Sequence, residues 1–435
     1  MTAGMSVNLR KFLLLLLIIL GSTSYVHSQR KLTGNLSTKK YPSTHVSAIG
    51  PDWVRVSSLT DLAVGDTLML IQMQGIGIST DQGLYGAAIQ STYGSPGRWE
   101  IHIIKQITVP TKQLDLQSNI ILPFDIASNI QAVKVPSCNN GVVTGTLEVN
   151  SWDPATKSGG VLAIIASKTI KLTGNINITG KGFSGGRDTV GDGVCSNNLP
   201  AYDKDSYTKV EEKAGIKGEG IAIHDEYSVL LKPTHYRGQG PNYTGGGGGN
   251  ARYTGGGGGS NRGIGGQGGE ESQAVCVSYQ HNGGYGGYAI SALFASTRIF
   301  FGGGGGGSTS SSGLSSVPGD GNGGGIVFII TDTLIGNGGS IISSGKPGYN
   351  GSISGGAGGG GAGGSVVISL KEYSGSPIQF GVSGGKGGDN AGKDFGAGGG
   401  GGGGLLWVSK DIRNAVDVFN GNGGAEGTFA GSNAL

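Results

Sequence analysis

The chain has 435 residues, a formal net charge of +3 and no long basic run, so it lacks the electrostatic footprint that nucleic-acid partners require. Its 92 glycines stand beside only 13 prolines and follow no Gly-X-Y register, which excludes collagen. Three cysteines, Cys138, Cys195 and Cys276, are too few for a disulfide-dense scaffold.

At the amino terminus, Arg10 and Lys11 precede the apolar stretch Phe12 to Leu20, and Val26 and Ser28 hold the small-residue positions of a cleavage site. Residues 1–28 are therefore predicted to be a signal peptide cut after Ser28. The apolar stretch falls short of the roughly 20 residues of a membrane span. No later segment reaches that length, so the mature chain is expected to be secreted or at the cell surface, without a transmembrane span. Export permits oxidation, and Cys195 and Cys276 are a possible disulfide closing a long loop; three separate buried thiols are the open alternative.

Only 16 of the 92 glycines precede residue 180. This shift in composition divides the chain into a small β-domain over residues 40–150 and a glycine-rich repeat domain over 151–430. In the first, Val54 and Val56 alternate around Arg55, Thr67 to Gln72 is strongly apolar, and Ile101, Ile103 and Ile107 flank His102 and Lys105. Gly65-Asp66 and Ser95-Pro96-Gly97 supply turns, and a mostly antiparallel arrangement is predicted.

The second part repeats. Apolar runs begin at Val161, Ile326, Ser365 and Leu405, and a glycine follows 19 residues after each, at Gly180, Gly345, Gly384 and Gly424. Each unit reads as a continuous apolar strand buried on both faces, a polar turn, a second short strand and a glycine-rich arm. The predicted fold is all-β, with stacked strand units, as a sandwich or a parallel β-helix, carrying a bundle of polyglycine-II-like helices.

Glycine loses more conformational freedom on ordering than any other residue, costing roughly 0.5–1 kcal/mol relative to alanine, so the arms need compensation. An extended helix of three residues per turn supplies it, because its amides and carbonyls are free to bond sideways to neighbouring arms. Gly398 to Gly404 would then span roughly 22 Å at about 3.1 Å per residue. The duplicated segments Tyr243-Thr244 with Gly245 to Gly249, and Tyr253-Thr254 with Gly255 to Gly259, read as adjacent arms with matched ends. Flexible linkers are the competing interpretation.

Several stretches together resemble the glycine-rich, adhesin-like secreted proteins of gliding and environmental bacteria. They are Val64-Gly65-Asp66, Ile71-Gln72-Met73-Gln74-Gly75, Val133-Lys134-Val135-Pro136, Trp152-Asp153, Gly180-Lys181-Gly182-Phe183 and Lys217-Gly218-Glu219-Gly220-Ile221-Ala222. A weaker similarity is to the glycine-rich extracellular domain of the anaplastic lymphoma kinase receptor family. The resemblance implies a surface or secreted structural and adhesive role and supplies no catalytic residues. Members often end in a sorting domain, which is not read before Leu435, and often carry His and Asn where this chain has Tyr243-Thr244 and Tyr253-Thr254.

No catalytic, cofactor or metal constellation emerges from the sequence. His224-Asp225-Glu226 with His235 matches no metal-ligand spacing, and Gly387 to Lys393 ends on Asp394 where a phosphate loop needs Ser or Thr. The expected function is a non-enzymatic scaffold contacting a glycan, a surface receptor or a cell-surface matrix. Candidate ligand-binding residues are Tyr243, Arg252, Tyr253, Arg262, Tyr285 and Tyr288, since aromatics and arginines between arms can stack on a ligand, although capping of the arms explains them equally. The alternative is a carbohydrate-active β-helix enzyme using acids among Asp225, Glu226, Glu270 and Glu271.

Overall fold

The computed structural model describes residues 31–78, 86–87, 95–191, 195, 214–223, 236–250, 252–270, 276, 282–290, 298–311, 320–352, 354–390, 395–412, 416–429 and 432–433. The expected signal peptide lies outside the described residues. The fold is all-β. After β1 (Lys31–Asn35) come β2 (Ser43–Ile49), β3 (Trp53–Val56), β4 (Thr67–Gln72), β5 (Trp99–Thr108), β6 (Gln113–Leu116) and β7 (Ile130–Val135). These six close an antiparallel barrel in the order β2-β3-β6-β5-β4-β7, sealed where Thr44 faces Ala132.

Alternation along β4 explains its unbroken apolar sequence. Leu68 and Leu70 enter the barrel core with Val46, Val54, Ile104 and Leu114, whereas Met69 and Ile71 enter a second core with Trp99, Val133 and Phe328. Both faces are therefore buried, and no polar position is needed. The Trp99 and Phe328 rings lie 4.7 Å apart, which ties the barrel to the repeat units.

The repeats begin with β8 (Ser137–Val143), β9 (Val161–Leu172) and β10 (Ile176–Asn177), so strand β8 of the larger sheet already precedes residue 150. A short pair, β11 (Thr189–Val190) and β12 (Thr309–Ser310), separates them from β13 (Ile326–Gly336), β14 (Ser340–Ile342), β15 (Ser365–Ser369), β16 (Glu372–Gly375), β17 (Ile378–Gly381), β18 (Leu405–Val408) and β19 (Val416–Asn420). One parallel sheet runs β1-β8-β9-β13-β15-β18 and another runs β10-β14-β17-β19. In the first, Val161 pairs with Ile326, Ile326 with Ser365 and Ser365 with Leu405. These are the positions at which the sequence repeat starts. The 19-residue glycines stack as well, since the Gly180, Gly345 and Gly384 amides donate to the Ser344, Ser383 and Asn422 carbonyls at 3.0, 2.9 and 2.9 Å.

Successive units thus lie on one another in parallel register, as in a β-helix and unlike an antiparallel sandwich. Leu162, Ile164, Val327, Ile329, Val366 and Ile368 meet Ile176, Ile341 and Phe380 between the two sheets. Val161, Ala163, Ile326, Phe328 and Val367 point the other way, toward the barrel and the starts of the arms.

Beyond the strands, the arms bond to one another with a three-residue period. The Gly302 and Gly305 amides donate to Gly324 and Gly321, those of Gly303 and Gly306 to Ser260 and Gly257, and those of Gly304 and Gly307 to Glu219 and Ile216. The carbonyls repeat the pattern, accepting from Phe183 and Gly186, from Ala362 and Gly359, and from Gly246 and Gly249. This one arm therefore has six neighbours and no unpaired backbone group, at donor–acceptor distances of 2.7–3.3 Å. Gly255 to Gly259 repeats the scheme, donating to Gly269 and Gly266, to Ala357 and Gly360, and to Gly247. Flexible linkers have no such partners.

Candidate functional site

The duplicated arms are capped alike. Tyr243 and Tyr253 both take left-handed φ values, 52° and 57°, which turn the chain into the glycine run. Thr244 Oγ1 then accepts the Ile221 amide at 3.0 Å, and the Thr254 hydroxyl meets that of Thr309 at 3.3 Å. The arms run antiparallel, because the Gly257 amide donates to Gly247 and that of Ser260 to Thr244. Tyr243 and Tyr253 consequently sit at opposite ends.

The six candidate residues therefore divide. At one end Tyr243 is buried in the core, and its ring stacks on Tyr288 at 6.1 Å, with the Tyr288 amide donating to the Tyr243 carbonyl at 2.7 Å. Tyr288 remains 39% exposed. Arg262 lies at the same end: its amide bonds Gly403, and the neighbouring Asn261 carbonyl accepts the Ile290 amide. Burial pulls the Arg262 guanidinium below its usual range and pushes the Tyr288 phenol up. At the other end the Arg252 guanidinium lies 5.0 Å from the centre of the Tyr253 ring, whose edge meets Phe395 at 4.8 Å. Tyr285 belongs to the middle of a third arm, its amide donating to Gln239 and its carbonyl accepting from Gly247. No single surface gathers all six.

A buried polar station, missed in the sequence reading, joins the barrel side to the arms. Glu219 Oε2 accepts the Trp152 indole N–H at 3.1 Å and the Ser184 amide at 3.0 Å. Burial pushes the Glu219 carboxyl up to about 7, against the opposing pull of those hydrogen bonds. Two residues earlier, Lys217 is 1% exposed; burial holds its ammonium well below the usual range, and its Nζ donates to the Gly240 carbonyl. Trp152, Phe183 and Phe301 form a cluster of edge-on rings with centroids 5.2–5.9 Å apart. Phe183 and Phe301 stand directly before arms, so this cluster fixes where two arms begin. The only hint in the sequence was a lysine and a glutamate alternating with single glycines, Lys217-Gly218-Glu219-Gly220.

Cys195 and Cys276 form a disulfide across 81 residues, and Cys138 is buried outside it. His224, Asp225, Glu226, His235, Glu271 and the tip of the Gly387 to Lys393 loop lie outside the described residues, while Glu270 is partly exposed. No group of three or more His, Cys, Asp or Glu fit to hold a metal occurs among the described residues, nor is any helix there long and apolar enough to cross a membrane. Comparison with known proteins finds no matching family model, no matching curated protein and no matching solved structure.

Proposed function

We propose that this chain is an exported structural and adhesive protein of the cell surface, of the glycine-rich adhesin-like kind. Its glycine-rich half acts as a non-catalytic scaffold, and its arms are polyglycine-II rods. The observation that carries this reading is the complete lateral pairing of Gly302 to Gly307 with six neighbours. A rod whose every amide and carbonyl is bonded sideways holds its end loops at fixed positions without large side chains, which suits presentation of a surface. The Cys195–Cys276 disulfide accords with an oxidising compartment, as does the leader-like amino terminus.

The ligand is a glycan of a neighbouring surface or matrix, and the face that takes it is the Tyr288 end. There an exposed phenol ring is backed by buried Tyr243, with Arg262 and the 73% exposed Ile264 on the same end of the arms. Aromatic faces stack on sugar rings, and arginine supplies planar donors. A glycan array and a whole-cell binding assay on residues 29–435 test the reading. Binding should fall at least tenfold in Tyr288→Ala, with Arg252→Ala unchanged. Equal loss in both variants contradicts the assigned face, and complete absence of binding leaves a purely structural matrix role.

A further inference from the structure

The barrel carries a second constellation, independent of the glycine arms. Glu100 and His102 lie two residues apart on β5 and so face the same way, and both are buried, with His102 4% exposed. Ser118, just beyond β6, is exposed. His102 Nδ1 lies 3.0 Å from Ser118 Oγ, and His102 Nε2 lies 2.9 Å from Glu100 Oε2. Glu100 is itself fixed: its oxygens accept the Ile121 amide at 3.1 and 3.2 Å and also the Leu122 amide.

These contacts order the protons. Both Glu100 oxygens act as acceptors, so in the neutral imidazole the tautomer that fits these contacts has its proton on Nε2 and its Nδ1 lone pair toward the Ser118 hydroxyl. A hydroxyl on a base, with that base oriented by a carboxylate, is the arrangement that activates a serine nucleophile, and it is recognised by geometry regardless of chain order. The Ser118 and Asn119 amides make no hydrogen bond among the described residues. Three residues along the same loop, Ile121, whose amide bonds Glu100, leaves its apolar side chain 79% exposed.

We propose that Ser118 is a nucleophile toward carboxylic esters with an apolar acyl group, with His102 as its base and Glu100 as a positioning residue. Ser118 Oγ bonds to the ester carbonyl carbon as its proton passes to His102 Nδ1. The carbon–oxygen bond to the alcohol breaks, and the alcohol departs with that proton. Water then attacks the acyl-serine, giving a proton to His102; the carboxylic acid leaves, and the proton returns to Ser118.

The test treats the full chain with a fluorophosphonate and, separately, with p-nitrophenyl butyrate. Mass spectrometry should place the phosphonyl adduct on Ser118, and Ser118→Ala should lose both the adduct and ester hydrolysis. Glu100→Gln separates positioning from folding. Its carbonyl oxygen still accepts the loop amides, but its amide N–H faces Nε2 and forces the ring proton onto Nδ1, so labelling should drop at least tenfold with the circular dichroism unchanged. In addition, Ser118→Cys should react with iodoacetamide faster than the neighbouring Gln117→Cys. Absence of the adduct from Ser118, unchanged labelling in Glu100→Gln, or equal alkylation of the two cysteines overturns the proposal.

Discussion

Glu219 shows how one side chain depends on the surrounding bundle. Its carboxyl is raised to about 7 by burial, from an ordinary 4.5. Below about 4.5 both folded and unfolded chains hold this proton; between 4.5 and 7 only the folded chain does; above 7 neither does. Stability contributed by the protonated group is therefore full at acid pH and lost as pH rises through that window, by on the order of 3 kcal/mol. The Asp153 carboxylate, beside Trp152, adds to the upward push of burial on this group. Glu219→Gln should flatten urea-unfolding stability between pH 4.5 and 7 and leave the variant the more stable of the two above pH 7. The sequence sets Lys217 and Glu219 between glycines without showing their partners, because Glu219 meets Trp152 and Ser184 across 67 and 35 residues. The same distance effect hid the division of the six aromatic and arginine candidates. Matched Tyr-Thr ends were readable, but the antiparallel course that puts them at opposite ends is set by contacts between arms.

At the scale of elements, the strand units were the most legible part. Continuous apolar runs bounded by glycines at a constant 19-residue spacing leave one register that stacks both features, and the Val161, Ile326, Ser365 and Leu405 ladder adopts it. Closure of the barrel was not legible, because alternation in β4 or β5 defines two faces without saying that a sheet joins its own edge. The arms make a sharp demand on residue type. A Cβ at Gly306 would stand 1.9 Å from the Gly247 carbonyl oxygen, whereas one at Gly145 would meet nothing within 4 Å. Gly306→Ala must separate two arms that each pair with others, so the cost should reach or exceed about 3 kcal/mol, the upper end for overpacking. Gly145→Ala should stay within about 0.5 kcal/mol, as for an open surface site. Chemical denaturation of both variants checks the contrast, and equal midpoints would remove the steric basis of the lattice.

For the whole molecule, the glycine lattice takes the place that large side chains hold in most domains. The barrel and parallel sheets bury their apolar faces in the usual way, and aromatic residues such as Phe183 and Phe301 anchor the arms to that core. Beyond it, cohesion comes from backbone pairing, each bond contributing about 0.5–1.5 kcal/mol net, similar to the extra cost of ordering a glycine. Such a balance holds only if the pairing is complete, as it is along Gly302 to Gly307. Residue-resolved amide hydrogen exchange tests this most directly. Protection across Gly302–Gly307 and Gly255–Gly259 should match that of the buried strand Ile326–Gly336, because all three open only when the stacked units come apart. Exchange in the two glycine arms at the rate of an unstructured peptide, beside a protected strand, would contradict the lattice and the scaffold built on it.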